Sequence, residues 1–101
     1  WINEFWARSI DDETERQKFV LASYNVGLGH IIDAKNLADK YGANPTVWDD
    51  NVEYYILKKS ESKFYTDDVC KHGYCRGKEP YNYVKNIMAG YEHYKNLIPL
   101  E

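Results

Sequence analysis

The sequence predicts an all-α protein, and its 101 residues are enough for one domain. Apolar residues recur mostly at spacings of three and four along the chain, which is the period of an amphipathic helix. Hydrophobic residues make up 44% and charged residues 29% of the chain, a balance that is typical of globular proteins. Four to five helices are expected, and no strand is predicted.

The first two helical segments precede the glycines at positions 27 and 29. The end of one helix is indicated by the apolar residues Trp1, Ile2, Phe5 and Trp6. Asp12 and Glu15 have the spacing of a capping box, which predicts a helix over about 13–24. The residues expected to be buried on this helix are Phe19, Val20 and Leu21.

Two more helices are expected in the middle of the chain. One covers about 30–41, and Gly42 would supply its left-handed stop. Asn44 followed by Pro45 predicts the start of another, which reaches about residue 57. The inward positions of these helices are Ile31, Ala34, Leu37, Ala38 and Tyr41, then Val47, Trp48, Val52, Tyr55 and Ile56.

The last third combines a loop with a long helix. The polar, turn-rich stretch 58–78 is interpreted as a surface loop with at most one short helical turn, and long loops are often functional. A helix over about 80–97 follows, and Pro99 is expected to end it. Its inward stripe is formed by Val84, Ile87, Tyr91, Tyr94 and Ile98.

Composition and charge limit the partners. Aromatic residues make up 16% of the chain, with ten Tyr and three Trp, which suits a sugar-binding or partner-binding cleft or a core filled with aromatic rings. The net charge is −3, and the basic residues are scattered, so no nucleic-acid partner is expected. No apolar run approaches the ~18 residues of a membrane span, and the start of the chain does not resemble a signal peptide.

The two cysteines, Cys70 and Cys75, are close in sequence and enclose Gly73. Because glycine permits a sharp turn, a local disulfide is the leading interpretation, and it would persist only in an oxidising compartment. Free thiols are the second interpretation. A zinc site that includes His72 is the third, and it lacks a fourth ligand. No metal or cofactor is expected.

The candidate carboxylates for an active site fall in four groups, Asp11-Asp12-Glu13, Asp49-Asp50, Asp67-Asp68 and Glu79. The first three lie at expected helix starts or in loops, where solvated or capping carboxylates are typical. The chain also contains no nucleophile elbow, no phosphate-binding glycine loop and no histidines at metal-binding spacing. A self-contained active site is therefore not predicted.

The most informative segment is 19–30, which reads FVLASYNVGLGH. It predicts a buried helix that ends on Tyr24 and Asn25, followed by two glycines that allow another element or a ligand to approach closely. Asn can exchange hydrogen bonds with sugar hydroxyl and acetamide groups, and Tyr can stack on a sugar. A helix C-terminus with a capping Asn is the alternative explanation.

This segment resembles the Ala-Tyr-Asn-Ala-Gly-x-Gly motif of the lytic transglycosylase superfamily, although Ser23 and Val26 replace the commoner alanines. Its extension through Ile31-Ile32-Asp33-Ala34 is similar to the F family of membrane-bound lytic murein transglycosylases. Later matches follow in the same order, namely Trp48, the segment 73–79, Tyr83-Val84, Ile87, Tyr91 and Tyr94. The resemblance covers nearly the whole chain and implies the C-terminal part of a lysozyme-like domain.

The resemblance implies cleavage of peptidoglycan between N-acetylmuramic acid and N-acetylglucosamine. In the family one protonated Glu donates to the glycosidic oxygen and then accepts the proton of the muramic acid C6 hydroxyl, which yields a 1,6-anhydro product. By this resemblance Tyr24 and Asn25 would line the site, Tyr83 would lie beside the acid, and Glu79 would hold substrate. The implied partners are peptidoglycan glycan strands in the periplasm or the outer-membrane-associated envelope of a bacterium.

The chain departs from the family in one major respect. The Glu-Ser motif and the Gly-Leu-Met-Gln stretch that precede the Tyr-Asn segment in the family are absent. The catalytic acid is therefore expected upstream, and residues 1–101 would form a single partial domain that is inactive alone. Its exposed faces, around Trp1, Phe5, Phe19 and Tyr83, should then pair with the missing half or self-associate. A non-catalytic, aromatic-rich helical module that binds glycan or protein is the alternative function.

Overall fold

A computed structural model describes the backbone of residues 1–97 and the side chains of residues 1–93. This part of the chain is α-helical without strands, which confirms the predicted fold class. Its helices are α1 (Ile2–Ala7), α2 (Glu13–Val26), α3 (Leu28–Lys40), α4 (Glu53–Lys58), α5 (Ser62–Tyr65) and α6 (Lys78–Leu97). None of them combines the length and apolar character needed to cross a membrane. The predictions for Ile98, Pro99 and the side chain of Tyr94 lie outside the described residues.

Asp12 caps α2, as its spacing to Glu15 predicted. Its Oδ1 accepts a hydrogen bond from the Glu15 N–H at 2.9 Å. The carboxylate of Glu15, however, does not complete a capping box. It accepts hydrogen bonds from the Trp48 N–H at 2.7 Å and from Lys18 Nζ at 3.0 Å. Glu15 therefore joins the start of α2 to a distant turn.

The hydrophobic core forms around Phe19, where α2 packs against α1, α3 and α6. Phe19 is fully buried, and its ring centroid lies 5.1 Å from that of Trp6 and 5.4 Å from that of Trp48. The prediction that Phe19 lies in an uncovered face is therefore wrong, because the two indole rings close over it. On the same helix Val20 and Leu21 are only partly buried.

Part of the apolar surface of α1 and α6 remains uncovered. Trp1 is 79% and Tyr83 38% exposed, as predicted, whereas Phe5 is half-buried. Ile87 and Tyr91 were predicted to face inward, but they are 37% and 53% exposed. They border a groove of about 230 Å³ between α6 and α2 instead of filling it.

The helix predicted to start at Asn44-Pro45 begins later than this signal indicates. Asn44 Oδ1 accepts hydrogen bonds from the N–H and hydroxyl of Thr46, at 2.9 and 2.8 Å, so it closes a turn and does not cap a helix. A kinked turn, Trp48–Val52, then contains Asp49 in an extended conformation and Asp50 at a φ of 61°. Helical backbone resumes at α4. The predicted inward residues Trp48, Val52 and Ile56 are buried, and Val47 and Tyr55 are half-buried.

Two further predictions about boundaries are confirmed. Gly42 ends α3 at a φ of 88°, and the Ala43 N–H donates to the Ala38 carbonyl at 2.8 Å, as in a Schellman motif. The segment between α4 and α6 consists of turns with one short helix, α5. This segment returns the chain from the end of α4 to the start of α6.

Candidate functional site

Tyr24 and Asn25 lie in the last turn of α2, on the side that faces away from the core. Because Phe19, Ala22 and Ser23 are buried, the helical period turns the next two side chains outward. Tyr24 is 67% exposed, and Asn25 is exposed as well. Both side chains are therefore accessible at the junction between α2 and α3.

The C-terminus of α2 is not capped by Asn25. Gly27 ends the helix at a φ of 105°, and its N–H donates to the Ser23 carbonyl at 2.9 Å. Among the described residues no side chain hydrogen bond involves Asn25, and no ring contact involves Tyr24. The alternative explanation of Asn25 as a capping residue therefore does not hold.

Ser23, which replaces an alanine of the motif, has a structural role in this chain. Its Oγ accepts a hydrogen bond from the indole Nε1 of Trp6 at 2.9 Å and donates to the Phe19 carbonyl at 2.7 Å. A buried indole N–H without an acceptor would be costly, so the serine satisfies a donor in the core.

Two glycines allow the segment 71–77 to pack tightly against the rest of the fold. A side chain at Gly29 would collide with the ring of His72, and one at Gly77 would collide with the carbonyl of Ile56. The expected close approach of another element is thus confirmed at Gly29. It brings His72, in the segment that precedes Glu79, to the first turn of α3.

A fully buried carboxylate, Asp33, holds the start of this segment. Its Oδ1 accepts from the Lys71 N–H at 2.9 Å and lies 3.1 Å from His72 Nδ1, and its Oδ2 accepts from the His72 N–H at 2.9 Å. Oδ2 also lies 2.6 Å from Nζ of Lys59, which is fully buried too. Burial acts to raise the pKa of Asp33, but these hydrogen bonds outweigh it and hold the pKa below its ordinary value.

Lys59 also contacts His30 on α3 and Cys75 in the segment 71–77. Its Nζ lies 2.9 Å from His30 Nδ1, and its carbonyl accepts the Cys75 N–H at 3.1 Å. Burial first, and then the charge of Lys59, lower the pKa of His30. The sequence reasoning missed this network. Its one local signal is Asp33 itself, a charged residue within the apolar stripe of α3.

The expected disulfide is absent, because Cys70 and Cys75 are both free thiols. Cys75 is 3% exposed and belongs to the hydrophobic core, whereas Cys70 is half-buried in the loop before it. Burial raises the pKa of Cys70 to about 11 and also raises that of Cys75, so neither is a reactive thiolate at neutral pH. In the described part of the chain no group of three or more His, Cys, Asp or Glu residues could hold a metal.

Glu79 and Tyr83 lie on α6, one helical turn apart on the same face. The Glu79 side chain is 62% exposed, with Arg76 Nη1 at 3.9 Å. Within residues 1–93 no described hydrogen bond or ring contact joins either of them to Tyr24 or Asn25. The groove beside Ile87 and a larger cavity of about 600 Å³ between α2, the 48–53 turn and α6 include none of the four residues.

The motif resemblance is supported by comparison with known proteins. The chain is similar to proteins named membrane-bound lytic murein transglycosylase F: it is 42% identical over 87 residues to that of Haemophilus influenzae strain PittGG and 41% identical over 94 residues to that of Shewanella pealeana. These matches cover 86% and 91% of the chain, but 17% and 19% of the relatives. The chain thus spans less than a fifth of the length of the curated relatives it matches. No protein-family model matches it.

Proposed function

We propose that this chain, homologous over most of its length to membrane-bound lytic murein transglycosylases F, forms one wall of the glycan cleft of such an enzyme. The observation that carries the proposal is the exposed pair Tyr24 and Asn25. Neither side chain has a structural partner in the described fold, although both lie on a helix whose other face is packed into the core. An aromatic ring beside an amide suits a saccharide.

The proposed reaction is cleavage of the β-1,4 bond between N-acetylmuramic acid and N-acetylglucosamine. A protonated Glu would donate its proton to the glycosidic oxygen, and the resulting carboxylate would accept the proton of the C6 hydroxyl as that oxygen attacks C1. The product would be a 1,6-anhydromuramic acid, and no water would be consumed. We propose that this Glu is supplied by polypeptide outside the 101 residues, because no Glu-Ser pair precedes the Tyr-Asn segment and no Gly-Leu-Met-Gln stretch occurs in the chain.

The residues of this chain would bind and orient the glycan. Asn25 would donate to and accept from an acetamide group, and Tyr24 would stack on a sugar ring or bond its hydroxyls. Tyr83 would lie beside the acid. Glu79, whose carboxylate is mostly exposed, would accept hydrogen bonds from hydroxyl or amino groups of the substrate. The site of action would be the peptidoglycan of a bacterial cell envelope.

The uncovered apolar surface would be the contact with the rest of the domain. It includes Trp1, Tyr83 and the groove of about 230 Å³ bordered by Val20, Leu21 and Ile87. An exposed apolar surface beside a proposed site suits a further packed element, which would bring the acid to Tyr24. In its absence we expect the isolated chain to self-associate through this surface, which sedimentation velocity would detect.

Glycan binding by the chain tests the proposal directly. Titration with a GlcNAc–MurNAc tetrasaccharide should shift the NMR signals of Tyr24 and Asn25. Tyr24→Ala and Asn25→Ala should each weaken binding about tenfold, which corresponds to about 1.4 kcal/mol per lost contact. Tyr54→Ala is the matched control, because Tyr54 is 47% exposed on α4. The absence of binding, or an equal loss with the control, would refute the assignment of this cleft wall.

Digestion of peptidoglycan tests where the acid lies. The isolated chain should release no anhydromuropeptides detectable by mass spectrometry. Release by the chain would show that a carboxylate within it, such as Glu79, supplies the proton. Glycan binding by a parent protein with no Glu ahead of the Tyr-Asn segment would instead favour the non-catalytic binding module.

A further inference from the structure

We infer that Asp33, Lys59 and His30 form a pH-sensitive brace that positions the segment 71–75 against Gly29, at the start of α3 and four residues after Asn25. The inference rests on the proposed function, since it assigns positioning residues to the same cleft wall. None of the three is placed in contact with substrate. They act through the segment that leads to Glu79.

The brace attaches the start of the segment to the Asp33 carboxylate and its end to the backbone carbonyl of Lys59, the two residues of one buried ion pair. Asp33 accepts the N–H groups of Lys71 and His72, each at 2.9 Å, and the Lys59 carbonyl accepts the N–H of Cys75 at 3.1 Å. The ion pair itself is fully buried, so water does not compete for these acceptors. The ring of His72 then rests on Gly29, where no side chain would fit. Loss of the Asp33 bonds would therefore release Lys71 and His72 from the start of α3.

His30 makes the brace responsive to pH. The ammonium of Lys59 has only donors, so His30 Nδ1, at 2.9 Å, must accept, and the imidazole is neutral with its proton on Nε2. Protonation of Nδ1 would place two donors and two positive charges face to face. The charged groups that face His30 are Lys59 from the end of α4, Asp33 on its own helix and His72 from the segment. Asp33 favours the imidazolium, whereas burial, Lys59 and protonated His72 oppose it.

The direction of the pH effect follows from this balance. The pKa of His30 is lowered in the folded chain, so the closed brace binds a proton less readily than an opened one. The stabilisation is complete above the ordinary pKa of about 6.5. It is lost as the pH falls through the lower value of the closed state. Mild acid should thus open the segment 71–75 while α2 and α3 stay folded.

Amide hydrogen exchange measured by NMR at pH 7.5 and pH 5, corrected for intrinsic rates, tests the brace. Protection of the Lys71 and His72 amides, which Asp33 accepts, should be lost in part at pH 5, because the opened brace then binds a proton that the closed brace binds less readily. The Ala43 amide, which ends α3, should keep its protection. In His30→Gln, where a neutral amide oxygen can accept from Lys59, the fall should vanish. His30→Asn gives a second such variant, and His93→Gln is the matched control at an exposed histidine.

The possible results of these experiments distinguish a failure of the brace from a failure of the proposed function. An equal fall in wild type and His30→Gln, or no fall in wild type, would overturn the inference. Tetrasaccharide titrations on the same samples should show weaker binding at pH 5 for wild type and unchanged binding for His30→Gln. If the amides respond as expected but no tetrasaccharide binds at either pH, the brace is supported and the proposed function fails. Equal binding at both pH values, with the brace opened, would overturn its positioning role.

Discussion

Removing one member of the buried Asp33–Lys59 pair should destabilise the fold, and the two members should not be equivalent. Breaking a buried ion pair typically costs about 3–5 kcal/mol, because the remaining charge is left in the interior. Asp33→Asn leaves the Lys59 ammonium fully buried, with His30 as its neutral partner. Lys59→Met leaves the Asp33 carboxylate with the N–H groups of Lys71 and His72 and the ring of His72.

The structure therefore predicts which of the two substitutions lowers the free energy of unfolding more. We expect Asp33→Asn near the upper end of that range, about 5 kcal/mol, and Lys59→Met near the lower end, about 3 kcal/mol. Since a small domain is stable by about 5–15 kcal/mol, either value is a large part of the total. The double variant should cost less than the sum, because the second substitution removes the charge that the first leaves unpaired.

Urea unfolding followed by circular dichroism measures these free energies. Asp39→Asn is the matched control, because Asp39 is an exposed carboxylate on the same helix, and its change should stay within about 0.5 kcal/mol. A cost below about 1 kcal/mol for Asp33→Asn, or a larger cost for Lys59→Met, would refute this account of the network.

Two further predictions concern the core and the acid stability. Phe19→Ala should lower the free energy of unfolding by about 3–5 kcal/mol because the ring is fully buried, whereas Ile87→Ala, at a position 37% exposed, should cost clearly less in the same urea titration. The pKa of Asp67 is lowered to about 2, chiefly by the hydrogen bond from Lys40, so its contribution is present above its ordinary pKa and is lost as the pH falls toward 2. Asp67→Asn should therefore flatten this part of a stability–pH curve, and an unchanged curve would contradict the assignment.

Local signals in the sequence were enough to predict the helical fold. The cap at Asp12 and the left-handed stop at Gly42 depend on neighbours within a few residues, and both occur as expected. The start of the helix that ends at about residue 57 was predicted too early, because this start depends on a residue distant in the sequence. Glu15 accepts the Trp48 N–H, and this contact favours a kinked turn where the Asn44-Pro45 signal indicated a helix.

The sequence identified Tyr24 and Asn25 as candidate site residues, but it did not reveal the buried network of Asp33 and Lys59. Tyr24 and Asn25 follow from a contiguous motif, so their exposure at the end of α2 could be anticipated from the period of the helix. Asp33 and Lys59 are distant in sequence, and the amides that complete the network belong to a polar loop. Sequence spacing cannot reveal such a pair, although a charge within an apolar stripe indicates that a buried partner is needed. Cys75 illustrates the converse, since its proximity to Cys70 in the sequence favoured a disulfide, whereas in the structure it is a free thiol buried in the core.

Some residues of the motif support the fold and others do not. This difference is the strongest support for a ligand at the α2–α3 junction. Ser23 satisfies a buried indole, Gly27 turns the chain at a positive φ, and Gly29 makes room for His72. Each of these residues is explained by the fold alone. Tyr24 and Asn25 are not, because in the described part of the chain the Asn25 side chain makes no hydrogen bond, the Tyr24 ring contacts no other ring, and both side chains are exposed. A large aromatic side chain that is 67% exposed gains little from burial, and the proposed glycan contact would give it a role. Replacing both side chains with alanine should therefore leave the free energy of unfolding within about 1 kcal/mol of wild type. A much larger loss would show that they support the fold after all.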